Sequence, residues 1–239
     1  MTRLGTTDGV MRRGAEPAGR ARDGGVFRAA LFDLDGTLLD SEGRSQAAWT
    51  RLFRAHGVPV DRALVASFAG RPGRVVLAEN RALFDARHSV DALLEEAMSY
   101  ATDPAAPVPG AVELLRAVHG SGVPVGVVTS ATREYAHAEL TALGVRPLVA
   151  PVITAEDVRA GKPEPEGYLA GCRALSVEPG HTVVFEDSPA GVTSAKRAGA
   201  FCVAVTTTTP ADALAHADLV VADLSRVGWA GGTVTLLEH

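Results

Sequence analysis

From residue 26 onward the hydrophobic positions of the chain fall into two alternating patterns. Short unbroken apolar runs read as buried strands: VFRAALFDL (26–34), VPVGVV (123–128), LVAPVIT (148–154), HTVVFE (181–186), AFCVAVT (200–206) and DLVVADL (218–224). Between them lie segments with apolar residues three and four apart, the spacing of one helix face: GAVELLRAVHGSG (110–122), REYAHAELTALG (133–144), PEPEGYLAGCRALS (163–176) and SPAGVTSAKRAG (188–199). Glycine closes three of these helices, and prolines open the third. Strands without a polar face, alternating with helices, predict an α/β fold: a Rossmann-like parallel sheet with helices on both faces.

The alternation breaks once. Residues 41–105 carry helix-period segments with no strand between them, and the Pro-rich stretch DPAAPVPG (103–110) returns the chain to the earlier pattern. The pattern predicts a core made of residues 26–40 and 106–239, with a helical cap of residues 41–105 inserted after the first strand. Hinges are expected near Asp40–Glu42 and Pro104–Pro109.

In an open α/β sheet, ligands bind beyond the carboxyl ends of the strands. The polar residues there are Asp33 and Asp35 after the first strand, Thr129 and Ser130 after the second, Lys162 after the third, and Glu186 and Asp187 after the fourth. Four carboxylates with one lysine repel one another unless a further positive charge joins them. An all-oxygen set of this kind suits Mg²⁺ and, through it, a phosphate ester. A calcium-loop reading of DLDGTLLDSEGR fails: its sixth position is Leu38 rather than glycine, and its twelfth is Arg44 rather than glutamate.

Composition narrows the picture further. The 239 residues are 46% hydrophobic and 21% charged with a net charge of -5, which suits a globular protein and offers no basic surface for nucleic acid or membrane. Cys172 and Cys202 lack metal-site spacing and read as buried free thiols, as in a reducing cytoplasm. Residues 1–25 hold five arginines and no apolar run; they read as a disordered tail, with Met1 or Met11 as the start.

The motifs DLDGT, VVTSATR, AGKPEPEGY and FEDSPAG, in this order and spacing, resemble the haloacid dehalogenase-like hydrolase superfamily over residues 27–227, in its branch with a cap after the first strand. Within that branch the chain looks most like sugar- and polyol-phosphate phosphatases. The resemblance implies a cytoplasmic, monomeric, Mg²⁺-dependent enzyme acting on a small phosphorylated metabolite. It assigns Asp33 as nucleophile and Asp35 as acid and base, with Mg²⁺ on Asp33, the Asp35 carbonyl, Asp187 and Glu186. Thr129, Ser130 and Lys162 are expected to bind the phosphoryl group, and Gly36 and Thr37 to supply a sharp turn and N–H donors. Arg71 and Arg74 in FAGRPGR, and Arg133, are candidates to meet the substrate. A dehalogenase would lack Asp35. A sugar phosphomutase is the rival reading, but Ser45 stands where such relatives carry a histidine. A non-catalytic phosphate binder would have lost one of these groups. The seven histidines show no ligand spacing, and Trp49 is expected in the core of the cap.

Overall fold

The computed structural model describes residues 17–21, 24–68, 73–101 and 104–237. Its strands are β1 (Pro17–Gly19), β2 (Ala29–Phe32), β3 (Leu39–Asp40), β4 (Ala106–Pro107), β5 (Val125–Val128), β6 (Val152–Ile153), β7 (Thr182–Glu186), β8 (Phe201–Val205), β9 (Leu219–Val221), β10 (Val227–Ala230) and β11 (Thr233–Leu236). Its α-helices are α1 (Ser41–Ala55), α2 (Arg62–Ala66), α3 (Gly73–Glu79), α4 (Val90–Tyr100), α5 (Ala111–Gly120), α6 (Arg133–Ala142), α7 (Glu166–Leu175) and α8 (Pro189–Ala198).

The parallel sheet expected from the apolar runs is present. Six strands lie in the order β6-β5-β2-β7-β8-β9, every pairing parallel. Successive strand residues point to opposite faces, so each run feeds two cores. Ala30, Phe32, Val127, Phe185 and Val203 pack with Leu114, Leu115 and Val118 of α5 and Ala136 and Leu140 of α6. Leu31, Val128, Val184 and Cys202 pack on the other side with Tyr168 and Cys172 of α7 and Val192 and Ala195 of α8. Phe32 and Phe185 stack across neighbouring strands with ring centroids 4.5 Å apart. Both cysteines are buried and free.

Helices α1 to α4 form the insertion and hold a core of their own, in which Trp49, Leu52, Phe53, Phe68, Leu77, Phe84 and Leu93 meet. Trp49 is therefore cap core, with an edge-on contact to Phe68. The two chain crossings into the cap are zipped together: Leu39 pairs with Pro107 and Asp40 with Ala106 in antiparallel register. The Asp40 side chain also caps α1, accepting the Gly43 N–H at 2.7 Å. The segments expected as hinges meet here, Asp40 beside Ala106 and Ser41 and Glu42 opening α1.

A second sheet escapes the sequence pattern. Pro17–Gly19 pairs with β11, which pairs with β10 in an antiparallel hairpin. The expected tail therefore ends earlier than residue 25, and its residues 1–16 lie outside the described residues. Pairing uses backbone groups, so PAG needs no apolar signal to join an edge. Gly19 also passes so close to the Phe201 ring that a Cβ would stand 2.5 Å from it. The hairpin did carry a signal in GWAGGTVTL: Gly231 and Gly232 both take positive φ, which suits a two-residue turn. It brings Trp229 against Phe27, centroids 6.3 Å apart. Among the described residues no helix is long and apolar enough to cross a membrane.

Gly110 joins the returning strand to α5 with φ +79°, and a Cβ there would lie 2.2 Å from the backbone nitrogen of Ser225. Gly110→Ala should lower the free energy of urea unfolding by ~1–3 kcal/mol with an unchanged denaturant slope.

Candidate active site

Strands β2, β5 and β7 are adjacent and parallel, so the residues that follow them emerge at one edge of the sheet. Asp33 continues the ladder, its N–H donating to the Phe185 carbonyl at 3.0 Å, and is only 6% exposed. Lys162 reaches in from the segment before α7; its Nζ donates to Asp33 Oδ1 and sits 2.5 Å from Glu186 Oε1. Glu186, the last residue of β7, has no exposed surface. Its Oε2 accepts from the N–H groups of Asp187 and Ser188 and from the Ser188 hydroxyl, at 3.0–3.1 Å. Its Oε1 accepts from the Tyr168 hydroxyl at 2.8 Å. Gly191 makes this possible, since a Cβ there would fall 1.7 Å from Glu186 Oε1.

Asp187 is held by two hydroxyls, Thr37 Oγ1 donating to Oδ1 at 3.2 Å and Thr208 Oγ1 donating to Oδ2. Gly36, at φ +81°, gives Asp187 its room: a Cβ would stand 2.1 Å from Oδ2. Thr129 takes the Ala131 N–H on its hydroxyl oxygen at 3.0 Å, leaving its own proton to donate. Asp33, Asp35, Thr129, Ser130, Lys162 and Asp187 line one cavity of about 340 Å³. Asp35 is half-buried, and its Oδ1 accepts from the Tyr135 hydroxyl at 2.9 Å.

Two expectations change, and Glu186 has a further partner. The Gly36 N–H donates to the Leu39 carbonyl at 2.7 Å, so Gly36 supplies space for Asp187 and no donor for an anion. Glu186 has both oxygens engaged, with Lys162 as its countercharge, and also belongs to the carboxylate group that could hold a metal ion. Arg74 and Arg133 do not line the carboxylate cavity. Arg74 pairs with Asp91 across the first turns of α3 and α4, and Arg133 donates to Asp157 Oδ1 at 2.6 Å; each had a closer carboxylate to meet. Arg71 lies outside the described residues. Ser45 belongs to α1 in the cap.

Sequence reading missed Tyr135, Tyr168, Thr207 and Thr208. The threonine run 206–209 follows β8, a strand end of the same sheet edge, and was open to the same reasoning as the other four. Thr207 donates to the Gly36 carbonyl. Nothing in the period of α6 singles out Tyr135.

Burial pushes the Asp33 carboxyl well above its usual pKa, and Glu186 and Asp187 add to the push while Lys162 opposes it. Burial, with Glu186 beside it, carries Asp187 up to about 6. Burial would raise Glu186 too, but Lys162 and the donors from Tyr168 and Ser188 bring it below its usual range. One ammonium therefore leaves the cluster short of positive charge. Asp33, Glu186 and Asp187 can each place a carboxylate oxygen within 4.8 Å of the others, a grouping that among the described residues could hold a metal ion. The all-oxygen donors suit a hard divalent cation.

The comparison with known proteins agrees with this geometry. The family description "haloacid dehalogenase-like hydrolase" matches residues 27–199. The chain belongs to the haloacid dehalogenase-like hydrolases. This hydrolase is 52% identical over 208 residues to validoxylamine A 7'-phosphate phosphatase of Streptomyces hygroscopicus subsp. limoneus, covering 85% of this chain and 97% of the relative. It is 34% identical to hexitol phosphatase A of Escherichia coli (strain K12), covering 82% and 91% of the two chains. Among solved structures, a HAD family hydrolase from Deinococcus radiodurans R1 with bound phosphate and sodium superposes with TM-score 0.71 at 27% identity, covering 83% of this chain and 92% of that one. A beta-phosphoglucomutase from Clostridium difficile shares the fold at TM-score 0.58 and 25% identity, covering 83% and 92%.

Lys162→Met would leave Asp33 and Glu186 buried without their cation. It should destabilise the metal-free protein by about 3–5 kcal/mol at neutral pH in urea unfolding. The carboxyls then bind protons more tightly folded than unfolded, so the deficit should shrink as the pH is lowered.

Proposed function

We propose that this hydrolase is a Mg²⁺-dependent phosphatase for a small sugar or polyol phosphate, working through an aspartyl-phosphate at Asp33. The observation that carries the reading is the cavity in which a lysine-clamped aspartate, a second aspartate and the Thr129–Ser130 turn face one another. Phosphate-releasing relatives at 52% and 34% identity support it.

In this mechanism an Asp33 carboxylate oxygen attacks phosphorus, and the substrate alcohol departs with a proton from Asp35. Asp35, now ionised, takes a proton from the water that opens the aspartyl-phosphate. Lys162 holds Asp33 in place and balances charge gathering on the phosphoryl oxygens. The Thr129 hydroxyl and the Ser130 N–H bind those oxygens. Asp33, the Asp35 carbonyl and Asp187 would hold Mg²⁺, with Glu186 fixing Lys162 beside them. When bound, Mg²⁺ supplies the positive charge that lets an anionic phosphate approach three carboxylates.

Phosphate release should be measured over a panel of sugar and polyol phosphates, with and without Mg²⁺. Wild type should release phosphate only with Mg²⁺, and Asp33→Asn should lose at least about a thousandfold in kcat. Activity without Mg²⁺, or an active Asp33→Asn, would overturn the mechanism. Sugar-resolving chromatography of the same reactions should show the dephosphorylated alcohol; isomerised sugar phosphate would mark a mutase instead. Because Asp187 takes a proton near pH 6 in the metal-free protein, Mg²⁺ affinity by calorimetry should fall as the pH drops through about 6.

A further inference from the structure

A continuous hydrogen-bonded path runs from the cap into the cavity. Arg44, in the first turn of α1, donates through Nη1 to Glu139 and through Nη2 to the Tyr135 hydroxyl oxygen at 2.5 Å, both on α6 of the core. The pair is sheltered, with Arg44 17% and Glu139 10% exposed at the side chain. Tyr135 in turn donates to Asp35 Oδ1 at 2.9 Å. The direction of this chain is fixed. An arginine only donates, so the phenol oxygen accepts from Arg44, and the single phenol proton is free to point at Asp35.

We propose that Tyr135 is the positioning residue for proton transfer by Asp35, and that Arg44 makes this positioning depend on the cap lying against α6. The proposal rests on the phosphatase reading above, in which Asp35 serves the leaving alcohol. With Tyr135 donating to Oδ1, the carboxylic proton of Asp35 sits on Oδ2. As the P–O bond to the substrate breaks, its electron pair stays on the alcohol oxygen, and the Oδ2 proton moves there. A swinging Asp35 carboxyl would present either oxygen; the Tyr135 bond selects one. The path crosses between cap and core, because Arg44 belongs to the first and Tyr135 and Glu139 to the second. A cap swung away from α6 would remove the donor that orients the phenol, and the acid would lose its fixed pose before water could exploit an open site.

The test compares a poor leaving group with one that needs no proton. The ratio kcat/KM counts steps only up to departure of the alcohol, so it isolates the role of Asp35 as acid. With sorbitol 6-phosphate, Tyr135→Phe should lower kcat/KM about tenfold, while with 4-nitrophenyl phosphate it should stay within about twofold of wild type. Arg44→Met should show the same split more weakly, and should add little to Tyr135→Phe in the double variant. Asp35→Asn marks the limit, losing about a hundredfold or more on sorbitol 6-phosphate and far less on 4-nitrophenyl phosphate.

If Asp35→Asn splits the two substrates and Tyr135→Phe affects both equally or neither, the positioning role is overturned while the phosphatase reading stands. If Asp35→Asn itself shows no split, the acid role fails and the positioning role with it. Should Tyr135→Phe lose its cooperative thermal transition, Arg44→Met carries the comparison, and equal effects on the two substrates then overturn the proposal.

Discussion

Lys162 Nζ lies between Asp33 and Glu186 at a depth where the glutamate has no exposed surface, and Asp187 stands beside them on a single ammonium's worth of charge. Buried ions of one sign in such a site are costly unless each is paired and hydrogen-bonded. The surroundings meet that demand group by group: Tyr168, Ser188 and backbone N–H groups on Glu186, Thr37 and Thr208 on Asp187. What stays unbalanced is net charge, a deficit that a divalent cation bound among Asp33, Glu186 and Asp187 could offset.

The parallel sheet serves this cluster through the register of neighbouring strands. Parallel strands deliver Asp33 and Glu186 side by side, because residues at the same level of β2 and β7 are hydrogen-bonded neighbours, Phe32 beside Phe185. Close approach then needs missing side chains. Gly36 and Gly191 each stand where a Cβ would collide with a carboxylate, Asp187 in one case and Glu186 in the other. These glycines act on the chemistry through volume, and Gly36 does so while its N–H closes a turn onto Leu39.

The cap is more than a cover. It has its own apolar core and enters and leaves the sheet domain through one two-strand crossing, so it can behave as a unit. Its sheltered polar link to the core runs from Arg44 to Tyr135 and Glu139 of α6, and from Tyr135 to the Asp35 carboxylate. In the proposed mechanism, Arg44, Tyr135 and Asp35 join cap position to proton transfer. Arg74, at the start of α3 in the cap, pairs with Asp91 at the start of α4.

The sequence by itself determined the sheet, its helices and the four clustered strand ends. Local period and strand-end position are properties of neighbouring residues, and a parallel sheet converts them into one edge without further information. It also determined that a helical insertion interrupts the core, since helix-period segments without strands have no other place. Tertiary structure alone decided which side chains share a hydrogen bond across large separations. Tyr135 and Asp35 are 100 positions apart, and no periodicity encodes a phenol aimed at a carboxylate. The same holds for Thr208 on Asp187, for the engaged oxygens of Glu186 and for the strand Pro17–Gly19, whose pairing lies in the backbone. Arg74 and Arg133 illustrate the converse: their partners, Asp91 and Asp157, are set by tertiary structure and not by local sequence.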